Sequence, residues 1–172
     1  MKEADLLMDA FGRIRTLVHA VVAGLEPAQL ELRVDDDANT VAWLVWHLTR
    51  VQDDHIADVA GTDQAWTAGG WAERFGLPFD DADTGFGHSP DEVGRVRVDD
   101  PGLLTGYHDD VHARTVRFLQ DLTAGDLDRV VDEAWDPPVT LGVRLVSVMG
   151  DDWQHAGQAA FVRGVAERRT GG

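Results

Sequence analysis

What most constrains this chain is a helical rhythm of apolar residues that returns four times along its 172 residues. From Glu3 to Gly24, Leu6, Leu7, Ala10, Phe11, Ile14, Leu17, Val18, Val21 and Val22 recur at three- and four-residue steps, the period of an amphipathic helix. A second helix is predicted from about Thr40 to Ala60, with Asn39 or Thr40 as its cap and Gly61 as its stop. Its inner stripe reads Leu44, His47, Leu48, Val51 and His55. A third begins near Pro101, a good first-turn residue, and runs through Leu104, Val111, Thr115, Phe118, Leu119 and Leu122. The fourth spans about Thr140 to Arg168 along Val148, Asp151, His155, Gln158 and Val162. Four such stripes bury themselves best against one another, so the expected fold is all-α, a four-helix bundle.

The connections are less regular. Between the second and third helices, Thr62 to Asp100 is too long for a bare loop in a compact domain. Trp66, Trp71, Phe75 and Phe79 make this segment an expected lid over one end of the bundle, and Ser89 to Glu92 reads as the capping box of one short helix. A short extended piece is expected around Val130 and Val131. No repeat or linker divides the chain, and residues 1–172 are read as a single domain.

Composition narrows the function. Acidic residues outnumber basic ones 31 to 15, for a net charge of −16, so nucleic acid is not an expected partner. No apolar run is long enough for a membrane span, and the N-terminus lacks the basic-then-apolar pattern of a secretory signal, so a cytoplasmic protein is expected. Cysteine is absent, which excludes disulfides, thiolate metal ligands and a protein-borne thiol nucleophile.

Against this background the segment Gly150 to Gln158, GDDWQHAGQ, is out of place. Asp151 and His155 lie four apart and project from one helix face, here the face that should be apolar. A polar group buried without a partner costs on the order of 2–7 kcal/mol. One solution is a metal: an acid and an imidazole one turn apart supply two ligands, and His47 on the second helix is the natural third. Two imidazoles and a carboxylate match catalytic zinc sites, which keep one coordination position open. The other solution is structural, with the helix breaking at Gly150, Asp151 or Asp152 capping its restart, and His155 bonded to Asp151. His108 and His112 form a second pair at ligand spacing, an alternative ligand set or pocket lining. Asp54, close to two full turns after His47, faces inward as well and is a candidate catalytic or ligand-orienting carboxylate, or else a plain surface acid. Arg50 and Arg144 lie near the ligand faces by helical spacing and are candidates to bind a substrate carboxylate. His19 and His88 belong to no constellation.

The stretches VAWLVWHLTRVQDDHIADVAG and SVMGDDWQHAGQAAFVRG resemble the DinB-like superfamily of four-helix-bundle metalloenzymes, in particular the actinobacterial mycothiol transferase branch. The resemblance extends over nearly the whole chain, and its most specific element is the HAGQ motif of the last helix. It implies an up-down-down-up bundle, frequent dimerisation, and a divalent metal, usually zinc or nickel. The ligands it implies are His47 from the second helix with Asp151 and His155 from the last. Many relatives carry His where this chain has Asp151, and the related mycothiol-dependent maleylpyruvate isomerases carry Glu. His108 and His112 match no ligand position of the family.

Three functions follow as expectations. In the first, a low-molecular-weight thiol, mycothiol by resemblance, is activated at the metal and attacks an electrophilic small molecule. The second is metal-dependent hydrolysis, with Asp54 or Asp152 as general base. The third is a non-catalytic, stress-associated protein that holds a metal or a small ligand.

Overall fold

The structure, a computed structural model, describes residues 2–170. Four long helices carry it: α1 (Glu3–Val22), α3 (Val41–Ala60), α7 (Pro101–Gln120) and α8 (Leu141–Thr170). Short helices α2 (Pro27–Leu30), α4 (Ala65–Ala68), α5 (Trp71–Phe75) and α6 (Pro90–Val93) lie in the connections. Local chemistry sets the ends. The Thr40 hydroxyl accepts from the Trp43 amide to start α3, and Gly61, at φ 65°, closes it in the left-handed conformation. Asp100 caps α7, whose first residue is Pro101. The capping box at Ser89 and Glu92 starts α6 as its sequence pattern suggested. Extended pieces at Val130–Asp132 (β1) and Val139–Thr140 (β2) pair antiparallel, Val130 opposite Thr140, and lead directly into α8.

In the bundle, α1 and α3 each pack against both α7 and α8. Thr49 meets His108 and Gln52 meets Thr115, so α3 and α7 run in the same direction. His55 meets Arg144 while His47 lies beside His155, so α8 runs opposite to α3. Arg163 of α8 donates to the carbonyls of Ala20, Val21 and Ala23 and satisfies the end of α1. One contiguous apolar cluster joins all four long helices.

Two expectations need correction. Helix α3 does not present a single stripe, because every residue from Val41 to Arg50 is buried. The cause is the segment 61–100, which lies along the α3–α7 flank instead of over an end of the bundle. Asp53 accepts from the amides of Ala65 and Trp66 and from the Tyr107 hydroxyl, and Trp71 donates to Asp110 of α7. In α8 the buried stripe is Leu141, Leu145, Val148, Asp152, Ala156, Ala159 and Val162. It is rotated from the predicted one, which places Asp151 and His155 half-buried at its edge and leaves Gln158 exposed. The helix continues through Gly150 without a break, so neither Asp151 nor Asp152 caps a restart.

Candidate metal centre

His47 comes from the buried middle of α3, and Asp151 and His155 from successive turns of α8. One ligand atom from each lies within 4.8 Å of the others. His155 Nε2 and Asp151 Oδ1 are 3.4 Å apart, which is about the spacing of two ligands around a tetrahedral ion with bonds of about 2.0–2.2 Å. Both imidazoles are oriented through their far nitrogens. His47 Nδ1 donates to the Thr84 carbonyl at 2.6 Å, and His155 Nδ1 donates to Gln158 Oε1 at 3.3 Å. With the proton on Nδ1 of each ring, as a bound cation would require, each Nε2 faces the cluster with a lone pair, the usual arrangement behind metal-binding histidines. The other Asp151 oxygen, Oδ2, is buried and has no hydrogen-bond partner. A bound cation would satisfy that orphaned atom, so the donor set fits a divalent metal. It is the one such cluster of histidines and acids among the described residues.

The groups also shape each other's protonation. Burial lowers the pKa of His47, with the nearby His155 adding to the effect and the Thr84 carbonyl opposing it. Burial works against protonated His155 too, but its hydrogen bond to Asp151 outweighs this and raises its pKa. Asp151 shows the counterpart: burial pushes its pKa up, and the hydrogen bond to His155 brings it below the ordinary value.

Residues 83–88, within the segment expected to form a lid, build the wall behind His47. Trp43 stacks on the His47 ring at 4.5 Å and 15°. Its indole N–H donates to His88 Nδ1, and His88 Nε2 donates to Asp83 Oδ2. Asp83 Oδ1 accepts from the Gly85 amide, which sets the turn that presents the Thr84 carbonyl to His47. Gly85 has φ 87°, and a Cβ there would stand 2.8 Å from the Trp46 ring and 3.1 Å from His47 Nδ1. His88, read from sequence as part of no constellation, is thus a member of this support. Only its distance in sequence from His47 concealed it.

The remaining candidates separate clearly. Arg50 is fully buried, and its guanidinium donates to the carbonyls of Asp81 and Asp83 and to Gln64 Oε1. It fastens the loop and faces no opening, so the expected role in binding a substrate carboxylate does not fit it. Asp54 lines a cleft of about 400 Å³ together with His47, Asp151, His55, Ser147 and Phe86. His55, on the predicted stripe but given no role there, accepts from Arg144 through Nδ1, and Arg144 also donates to Asp132. Burial, then Arg144, lowers the His55 pKa. Asp152 is fully buried in the bundle and does not line the cleft, and neither carboxylate oxygen has a partner. His108 and His112 sit on α7 away from the triad: His108 is buried and donates to the Thr49 hydroxyl, which itself donates to the Val45 carbonyl.

Residues 10–159 match the DinB superfamily. The chain belongs to that superfamily. It is also similar to a crystal structure of a conserved protein from Enterococcus faecalis, at 31% identity and a TM-score of 0.88 over 95% of this chain and 96% of that one. No curated protein matches significantly. For this DinB-superfamily chain the triad therefore stands on its own geometry. No helix among the described residues is long and apolar enough to cross a membrane.

Proposed function

We propose that the chain is a metal-dependent transferase that joins a low-molecular-weight thiol to an electrophilic small molecule, with mycothiol the thiol that the family resemblance suggests. One observation carries the reading: three potential ligands gather within 4.8 Å of one another, and two of them, His47 and Asp151, line a cleft of about 400 Å³ where a substrate has access. When bound, a divalent cation would supply the Lewis acidity that makes a thiol ionise near neutral pH. The chain has no cysteine, so the thiol comes from outside. His47, Asp151 and His155 would hold the cation. Asp54 is the cleft carboxylate placed to take the thiol proton, and its Oδ1 is fixed by the Gln64 amide at 2.7 Å. His55, with Nδ1 occupied by Arg144, presents a neutral N–H for a substrate oxygen. Val51, Val148 and Phe86 provide the apolar part of the cleft lining. The sulfur forms the new C–S bond, and the leaving group departs with the bonding electron pair.

The same cleft supports a second reading. Asp54 could equally take a proton from water, giving a hydrolase, so the two activities differ in the nucleophile and not in the residues. The separating experiment mixes metal-loaded protein and an electrophile panel with and without mycothiol or glutathione. Thiol-dependent conjugate formation that is lost in His47→Ala supports transfer. Thiol-independent product supports hydrolysis. No product under either condition overturns both and leaves a protein that binds without turnover.

A further inference from the structure

Helix α3 borders two openings. Val51, Asp54 and His55 line the metal cleft, whereas Ile56, Ala57 and Ala60, about half a turn around the helix, line a separate cavity of about 230 Å³ against Phe118 of α7. Small side chains account for the hollow. At Ala57 and Ala60 α3 presents only methyl groups toward α7, so the two helices meet there without filling the space between them. The helix end shapes the rim. Gly61 turns the chain in the left-handed conformation, the Thr62 amide donates back to the Ala57 carbonyl at 3.0 Å, and Thr62 and Asp63 are thereby carried to the cavity.

Charges of both signs line this cavity, and two of them are unspent. Arg114 is committed: its Nε donates to Asp110 at 3.0 Å and one terminal nitrogen to the Asp63 carbonyl at 3.4 Å. The guanidinium of Arg117 and the carboxylate of Asp63 make no hydrogen bond or ion pair among the described residues. The cavity therefore offers an apolar floor with one free cation and one free anion. Its volume is below the roughly 300–1,000 Å³ of clefts that bury drug-sized ligands, so the occupant is smaller than those. Net charge narrows the choice further. At −16, the chain repels a free carboxylate at long range and attracts a free amine to any of its 31 acids. A zwitterion with an apolar body meets neither difficulty and satisfies both rim charges together. An α-amino acid with an apolar side chain has this form, with its two charges adjacent at one end and hydrocarbon at the other.

We infer that the cavity between α3 and α7 is a binding site for a free apolar α-amino acid, with its carboxylate on Arg117, its ammonium on Asp63 and its side chain against Ile56, Ala57 and Phe118. The inference is independent of the metal and thiol readings, because this cavity and the metal cleft share no lining residue. Calorimetric titration of the full-length, zinc-loaded protein with leucine, methionine and phenylalanine tests it. Saturable binding of at least one of them is expected. For the one that binds, the matching acid without its amine and the matching amine without its acid are each expected to bind about tenfold more weakly or worse. Arg117→Gln and Asp63→Asn, both at exposed positions, are expected to weaken binding to a similar extent with an unchanged helical circular dichroism spectrum. Ala60→Phe, at a half-buried position, fills the hollow and is expected to abolish binding. His47→Ala is expected to leave it unchanged, which separates this site from chelation of the amino acid by the bound zinc. Failure of all three amino acids to bind overturns the proposal. So does unaltered affinity in folded Arg117→Gln, or loss of binding in His47→Ala.

Discussion

Gly85→Ala isolates the contact that orients the buried ligand. Two costs arise at this position. An alanine at φ 87° is held in a conformation that costs an L-residue about 1–2 kcal/mol. Its Cβ also stands 2.8 Å from Trp46, where carbon contacts settle at about 3.5–4.0 Å, so something must shift by roughly 0.7 Å. Trp46 is only 1% exposed and packed against Trp66, Phe79 and His88, so the loop is the part that yields. Such a shift takes the Thr84 carbonyl away from His47 Nδ1 and frees the ring to turn and change tautomer. Losing a partner of this kind lowers metal affinity by about 10–100-fold, or about 1.4–2.7 kcal/mol. Gly87→Ala is the matched control: its φ is 78°, but an added Cβ there meets nothing within 4 Å. Competition titration against a chromophoric zinc chelator reads the affinity, and thermal unfolding of the chelated protein reads the stability. Both variants are expected to lose stability, and only Gly85→Ala to lose affinity. Equal affinities would refute the role given to the Thr84 carbonyl.

Two further predictions concern buried titratable groups. His108 has a pKa pushed down to about 3, by burial first and then by His112, so between that value and about 6.5 the unfolded chain binds more protons than the folded one. Stability from this residue is thus complete above about pH 6.5 and is lost as the pH falls. Acidifying from pH 7 to 5 should cost about 2 kcal/mol, which urea unfolding of His108→Gln should show as missing from the difference between the two pH values; an unchanged difference rejects the assignment. Asp152 is buried with both oxygens unpartnered, and burial first, then Asp151, raises its pKa well above the ordinary value. Its folded form binds the extra proton, so its contribution becomes less favourable as pH rises. Asp152→Leu should stabilise the chelated protein at pH 7 by about 1–3 kcal/mol, and a loss of stability would mean that the carboxyl has a partner such as a buried water.

The long helices were legible in the sequence because each combines an apolar period with its own stop signals. Gly61 and Pro101 mark ends that the structure confirms. The triad was legible for a related reason, since Asp151 and His155 are one turn apart and His47 interrupts an apolar run. What sequence periodicity did not give was the rotation of α8. Asp152 was expected at a helix restart or as a base, but it occupies the core face, and its neighbour Asp151 lies at the edge where a cleft can reach it. One residue is a rotation of about 100° on a helix, so an apolar stripe that contains acids can be read in either of two phases. Arg50 was misread because charged side chains are usually solvated, whereas here loop carbonyls more than 30 residues away in sequence satisfy it. The supporting chain from Asp83 through His88 to Trp43 is likewise a tertiary arrangement without a sequence period.

The most direct test of the account is metal stoichiometry. Full-length protein, stripped with a chelator and reloaded with zinc or nickel, is analysed by mass spectrometric elemental assay beside His47→Ala, Asp151→Ala and His155→Ala. The geometry predicts one equivalent of metal per chain in the unaltered protein and its loss in all three variants while their helical circular dichroism is retained. Full metal content in folded His47→Ala and His155→Ala proteins would contradict the account, because no shared cation would then join α3 to α8.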